Sequence, residues 1–137
     1  MLTLIITILP LNAHLGGEKK IIGKWEAQEK GEVGSIVFFE KKKREKFAFA
    51  SLTASGETLG GPYASPAQGR VTYTINDRSK PIKVNFDINM DGEKYQMLAI
   101  AEFEGKNQLK MAIGEIGGSR PVEFTNKNTT LFIRKKK

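Results

Sequence analysis

The sequence Pro81-Ile82-Lys83-Val84-Asn85-Phe86-Asp87-Ile88-Asn89-Met90 places an apolar residue at every second position. Successive side chains of a β-strand point to opposite faces, so this alternation predicts a strand with one apolar and one polar face. Asp91-Gly92 follows directly, a dipeptide that tolerates the positive φ angles of a tight hairpin turn. Such a strand needs a sheet in which to bury its apolar face.

Seven further segments show strand patterns, and no window of ten residues shows helical spacing with caps. The predicted strands are residues 21–27, 33–40, 47–50, 70–76, 81–90, 94–103, 109–113 and 129–134. Residues 55–62 are predicted to form a loop, and residues 121–124 a short extended piece. Eight strands in hairpin succession are best closed into a barrel, because closure removes the exposed edges. The sequence therefore predicts an all-β fold, an eight-stranded antiparallel up-and-down β-barrel.

A chain of 137 residues fits one domain, which we expect to span residues 21–137. Residues 1–9 are apolar and uncharged, and Pro10 and the small Ala13 follow. This order resembles a secretory signal peptide, so residues 1–13 predict export to the periplasm or the extracellular space. The alternative is a first β-strand in a cytoplasmic protein. The segment is too short to span a bilayer, so we predict no transmembrane segment.

The residue types needed for most enzymatic chemistry are scarce. Cysteine is absent and His14 is the only histidine, which excludes thiolate and histidine sites from the body of the chain. Carboxylates such as Asp87 and Glu104 fall on a polar strand face and in a hairpin, where solvent is the expected environment. We therefore predict a protein that is not an enzyme, with no catalytic residues, no metal site and no cofactor.

The basic charge is concentrated in two places. Residues 41–44 (Lys-Lys-Lys-Arg) and 134–137 (Arg-Lys-Lys-Lys) hold eight of the 22 basic residues, and the remaining 14 nearly balance 15 acidic ones. This pattern predicts a charged hairpin tip and a solubilising tail, with no specific nucleic-acid binding. The alternative is an anionic-surface binder, which requires both clusters to lie on one side of the barrel.

The two ends of the chain resemble the lipocalin, or calycin, signature. Gly23-Lys24-Trp25 opens the first predicted strand as a G-x-W motif, and Arg134 follows the last one. In that superfamily the tryptophan closes the base of the barrel, and a late arginine packs over its ring in a cation–π contact. The resemblance implies the same structural roles for Gly23, Trp25 and Arg134.

The second half of the chain is similar to a family of uncharacterised lipocalin-like bacterial domains, abundant in planctomycetes. The resemblance covers residues 22–134, with a departure at Ala101, where the family commonly has tyrosine. It implies a fold and no particular activity. Its motifs are Lys80-Pro81-Ile82, residues 101–105 (Ala-Glu-Phe-Glu-Gly), residues 109–115 (Leu-Lys-Met-Ala-Ile-Gly-Glu) and residues 120–124 (Arg-Pro-Val-Glu-Phe).

The turn after the seventh predicted strand contains a polar pair. Arg120 and Glu123 flank Pro121, and we predict a structural salt bridge that locks this turn. The alternative is functional, with Arg120 as an anchor for an anionic head group at the barrel mouth. The same turn therefore supplies structural candidates, Pro121 and Glu123, and a binding candidate.

These patterns favour a non-enzymatic barrel that binds a small apolar or amphipathic molecule. The rival hypothesis is a ligand-free structural or protein-interaction module, whose barrel is filled by its own side chains. The patterns carry no information on oligomeric state. The candidate ligand-binding residues, expected to line the barrel interior or its mouth, are Trp25, Phe86, Tyr95, Met97 and Arg120. Phe47 and Phe49 are also expected to line the interior.

Overall fold

The computed structural model describes residues 19–28 and 33–135. The predicted signal peptide, residues 1–13, lies outside the described residues. A helical turn at residues 19–21 precedes the first strand, and a short 3-10 helix spans Pro66–Gln68. The strands are β1 (Gly23–Ala27), β2 (Ser35–Phe38), β3 (Ala48–Ala54), β4 (Glu57–Gly60), β5 (Arg70–Asn76), β6 (Ile82–Met90), β7 (Glu93–Phe103), β8 (Gln108–Ile113) and β9 (Thr129–Arg134).

Eight of these strands form a closed barrel. These are the strands other than β4. Each of them pairs antiparallel with the next of the eight in chain order, and β1 also pairs with β9. Trp25 is opposite Arg134 in that closing pair. The predicted eight-stranded antiparallel barrel is confirmed. Since neighbouring strands run in opposite directions, successive connections lie at opposite ends of the barrel.

The additional strand β4 lies where the sequence predicted a loop. Ser55 and Gly56 have φ angles of 52° and 81°, so the chain reverses in a tight turn directly after β3. β4 then pairs with the second half of β3, while β5 pairs with the first half. A Cβ at Gly60 would lie 2.5 Å from the carbonyl oxygen of Ala50. Glycine is therefore required at position 60, where β3 stops pairing with β4 and pairs with β5 instead.

The aromatic core fills one end of the barrel. Trp25, Phe38 and Phe86 are at most 1% exposed, and the rings of Phe38 and Phe86 lie 5.9 Å apart. The Tyr73 ring packs edge-on against Phe38 at 4.9 Å, and its hydroxyl donates to the Phe39 carbonyl at 2.9 Å. Tyr73 lies on β5, Phe38 on β2 and Phe39 in the β2–β3 connection. The ring contact and the hydrogen bond therefore hold β5 against β2 and this connection. We call this end of the barrel the closed end.

Two aromatic residues expected inside the barrel lie outside it. Ala48 and Ala50 hold the inner positions of β3, which turns Phe49 to the outer face. Phe47 precedes the strand and is 56% exposed. The expectation that Phe47 and Phe49 line the interior is therefore wrong, because the register of β3 selects the small alanines.

Residues 114–128, which we call the strap, connect β8 to β9 across the outer face of β6, β7 and β8. The amides of Gly114 and Gly117 donate to the Leu98 and Gln96 carbonyls, each at 2.8 Å. Ile100 is buried although the alternation of β7 directs it outward. We infer that the strap covers this outer face. No strand forms at residues 121–124, where the sequence predicted a short extended piece.

Candidate functional site

A cleft opens at the end of the barrel opposite the closed end, here called the open end, and together with its extension along the outer side of β8 it has a volume of about 2180 Å³. Residues of the β1–β2, β4–β5 and β8–β9 connections line it. The strand residues that face it from the barrel interior are almost all apolar. The apolar ones are Leu52, Ala54, Leu59, Ile88, Met90, Met97 and Ile113.

The cleft is larger than the roughly 300–1,000 Å³ typical of a small-molecule pocket, and its lining explains why. Ile113 faces the barrel interior whereas Lys110, on the same strand, faces outward. The cleft therefore continues from the barrel mouth into a groove between β8 and the strap. The part inside the mouth is the apolar one.

The polar groups at the mouth come from β4, the 3-10 helix and β9. Glu57 is opposite Ala54 and so shares the inner face of the sheet. It is the one charged residue among the described inner-face strand positions that line the cleft. Gln68 is held in place because its side-chain oxygen accepts the Ser65 amide at 3.1 Å. Thr130 adds a hydroxyl from β9.

The connection from β4 to β5 forms one wall of the mouth. The amide of Asp91 donates to the Pro66 carbonyl at 3.2 Å, which fixes the 3-10 helix against the end of β6. A Cβ at Gly69 would lie 2.7 Å from Leu59 Cδ1 and 3.3 Å from Met90 Cε. The missing side chain thus lets this connection pack directly onto two of the apolar lining residues.

The closed end is sealed by Trp25, whose side chain is fully buried. Its indole nitrogen donates to the Ile21 carbonyl at 2.8 Å. The guanidinium carbon of Arg134 lies 4.2 Å from the centroid of its ring, so the contact implied by the resemblance is present. Arg134 also donates to the carbonyls of Ile22 at 2.8 Å and Lys106 at 3.2 Å, and to that of Lys20.

Gly23 makes room for this arginine. Its φ angle is 131°, a conformation that L side chains rarely adopt, and an added Cβ would lie 3.0 Å from Nη1 of Arg134. The spacing of the G-x-W motif therefore has a physical reason in this chain. The glycine admits the cation that covers the tryptophan two residues later.

The structure does not bring the five candidate ligand-binding residues together. Met97 lines the cleft. Trp25 and Phe86 are fully buried in the aromatic core, Tyr95 is exposed near the open end, and Arg120 lies on the outer face of the barrel. Of the structural candidates, Pro121 lies in the strap and lines the outer groove of the cleft.

Arg120 fastens the strap to the barrel wall. Its Nη1 donates to the carbonyls of Ala99 at 2.8 Å and Val84 at 3.3 Å, and its Nη2 donates to the side chain of Asn85. These groups lie on β6 and β7, away from the mouth. Glu123 is exposed, and its carbonyl accepts a hydrogen bond from the Asn128 amide group at 2.9 Å. Arg120 thus locks the strap through backbone carbonyls and Asn85.

Tyr95 donates a hydrogen bond to the carboxylate of Glu93. This bond, together with the negative charge of Glu93, raises the pKa of Tyr95 above its ordinary value of 10.0. Both residues are exposed on β7. The pair therefore forms a local polar contact beside the mouth.

Reasoning from the sequence missed most of the cleft lining. Leu52, Ile88 and Glu57 were not singled out, because every inner face of the barrel shows the same alternation. One signal was available. The G-x-W motif marks one end of a barrel, so inner-face apolar residues at the strand ends farthest from this motif should line the opposite end. Glu57 had no such signal, since β4 itself was not predicted.

The described residues contain no group of three or more histidine, cysteine, aspartate or glutamate side chains arranged to hold a metal ion. Within the same residues, no helix is long and apolar enough to cross a membrane. The fold defines an eight-stranded antiparallel barrel with one additional strand. Comparisons with protein-family models, with curated proteins and with solved structures gave no match.

Proposed function

We propose that this barrel binds a small apolar or amphipathic molecule in the mouth of its open end and is not an enzyme. The observation that carries the proposal is the unequal filling of the barrel. Aromatic side chains fill the closed end, whereas the open end keeps a cleft in contact with solvent, and the part of this cleft inside the mouth is lined mostly by apolar side chains. Apolar, concave sites with few polar groups are the usual form of small-molecule pockets.

The polarity of the rim suggests which ligands fit. Burial of the ligand's apolar part against Leu52, Ile88 and Met97 would supply most of the favourable free energy. Glu57 would then meet the polar part of the ligand. A carboxylate accepts hydrogen bonds and attracts cations, so we expect a head group that is a donor or is positively charged. This differs from the anionic head group in the alternative role considered for Arg120.

We further propose that the chain is a lipocalin-like domain. The support is the arrangement of Gly23, Trp25 and Arg134 at the closed end of an up-and-down barrel. Export remains part of this proposal and rests on the apolar sequence of residues 1–13 alone.

A cleft-blocking variant tests the binding site. Ala54 lies on the inner face of β3 at the mouth, so Ala54→Trp should occupy the space that a ligand needs. Thr74→Trp is the matched control, because Thr74 is exposed on the outer face of β5. Binding would be followed by the fluorescence of a neutral, environment-sensitive apolar dye.

We expect the native chain and Thr74→Trp to bind the dye equally, and Ala54→Trp to bind it at least about tenfold more weakly. Equal binding by all three proteins would place the dye elsewhere. Absence of binding to the native chain would favour the rival function, a structural or protein-interaction module. Either result would contradict the proposal.

A further inference from the structure

The closed end of the barrel carries nearly all of the excess positive charge. The β2–β3, β5–β6 and β7–β8 connections meet there, together with the start of β1 and the end of β9. The described residues of this end hold twelve basic and four acidic side chains, a formal net charge of +8. They are residues 19–22, 39–47, 77–81, 104–107 and 134–135.

The open end has the opposite character. The described residues of its connections hold two basic and three acidic side chains, a formal net charge of −1. They are residues 28, 33–34, 55–56, 61–69, 91–92 and 114–128. The described part of the chain is therefore polarised along the barrel axis, and the basic β2–β3 connection shares one end with Arg134 and Lys135.

The charges of the β2–β3 connection face solvent. All five of its basic residues are exposed: Lys41, Lys42, Lys43, Arg44 and Lys46. Among the described residues, no carboxylate forms an ion pair with any of them; the ion pairs seen there involve Lys24, Lys110 and Lys135. Glu45, inside the connection, accepts the backbone amide of Lys42 at 3.1 Å.

Phe47 adds an apolar group to this basic surface. It follows Lys46 directly and is 56% exposed, the one exposed large apolar side chain among the described residues of the closed end. Basic residues are attracted to anionic lipid head groups, and apolar side chains such as phenylalanine are buried at the boundary of the head groups and acyl chains. Single-stranded nucleic acid is bound by several aromatic platforms along a groove, which this end does not offer.

We propose that the closed end binds an anionic lipid surface, with the β2–β3 connection at the contact and Phe47 inserted among the head groups. Docking in this way points the open end, and the cleft, away from the membrane. The site is distinct from the cleft, so the two proposals can fail separately.

Co-sedimentation with vesicles tests the charge contribution. The probe is a phosphatidylcholine vesicle containing about a quarter phosphatidylserine, compared with phosphatidylcholine alone. Lys41→Gln, Lys42→Gln and Lys43→Gln would be combined in one variant. The control combines Arg70→Gln, Lys94→Gln and Lys127→Gln, three exposed residues away from the closed end whose loss lowers the net charge equally.

We expect binding only to the anionic vesicles, and a steep loss as salt rises from about 0.05 to about 0.5 M. The closed-end variant should bind at least about tenfold more weakly, and the control less than about twofold. Equal losses in the two variants would show a response to net charge alone. That result, or tighter binding of a single-stranded oligonucleotide at equal phosphate concentration, would overturn the proposal.

Phe47→Trp gives a second readout that does not depend on the lysine variant. Trp25 is fully buried beneath Arg134, so its emission should not respond to vesicles. An indole at position 47 should shift to shorter wavelength with anionic vesicles and stay unchanged with phosphatidylcholine alone. An unchanged emission while the protein is bound would overturn the insertion of this side chain.

Discussion

Arg134 lies where the first and last strands of the barrel meet, and its guanidinium uses both its face and its edge. The face covers the Trp25 ring at 4.2 Å, and the edge donates to the carbonyls of Lys20 and Ile22 before β1 and to that of Lys106 in the β7–β8 hairpin. A lysine could not reproduce this, since it lacks a planar fork of donors. Two contacts therefore fix the Trp25 ring: the Arg134 guanidinium over its face and the hydrogen bond of its indole nitrogen.

Trp25→Ala should lower the free energy of unfolding by about 3–5 kcal/mol, because it removes a fully buried aromatic side chain and leaves a cavity at the closed end. Urea unfolding followed by circular dichroism measures the change. Phe47→Ala, at an exposed aromatic position, is the control and should change it by no more than about 0.5 kcal/mol. Similar effects of the two substitutions would contradict the sealing role of Trp25.

The Tyr95–Glu93 pair gives a prediction about pH. Since the pKa of Tyr95 is raised in the folded chain, the bond stabilises the fold below about pH 10 and is lost as pH rises through the folded pKa. Titration of the Tyr95 ring signals by nuclear magnetic resonance should show that this phenol ionises above the ordinary value. Glu93→Gln should return that pKa toward 10.0; an unchanged titration would exclude Glu93 as the cause.

At the scale of the element, the strap depends on a residue whose partners the sequence could not reveal. The Arg120-Pro121 motif suggested an ion pair with Glu123, whereas Arg120 donates mainly to the backbone of β6 and β7. Backbone carbonyls leave no pattern in a sequence, so only the packed structure identifies them. Ile100 gave a partial signal, as an apolar residue on the outer side of a strand.

Arg120→Ala should release the strap and lower the free energy of unfolding by about 1.5–3 kcal/mol, the range for hydrogen bonds to a charged group. Amide exchange of Gly114 and Gly117, whose hydrogen bonds hold the strap to β7, should become faster. Lys127→Ala, at an exposed position in the same strap, should leave both measurements unchanged. Unaltered exchange in Arg120→Ala would contradict the fastening role.

Strand prediction succeeded where alternation was long and failed where it was short. β6 alternates over nine residues and pairs along its whole length with β7, so the sequence located both strands. β4 has four residues and borders two glycines, which favoured a loop. Tertiary pairing with β3 decided the outcome, because the turn at Ser55 and Gly56 returns the chain alongside it.

At the scale of the whole molecule, the two ends of the barrel differ in packing and in charge. The closed end is filled by aromatic rings and is basic; the open end holds the apolar cleft and is nearly neutral. The shared location of the basic connections could have been derived from strand order, since alternate connections of an antiparallel meander lie at one end. The cleft could not, because it depends on how completely side chains fill the interior.

Native mass spectrometry of the chain purified from its own host, with no ligand added, shows whether the open end holds a ligand. We expect a reproducible additional mass of a small molecule that is lost on denaturation and is absent from the Ala54→Trp variant. A polypeptide mass without any bound molecule, in the native chain as in the variant, would contradict the proposal that the open end of this barrel is a binding site.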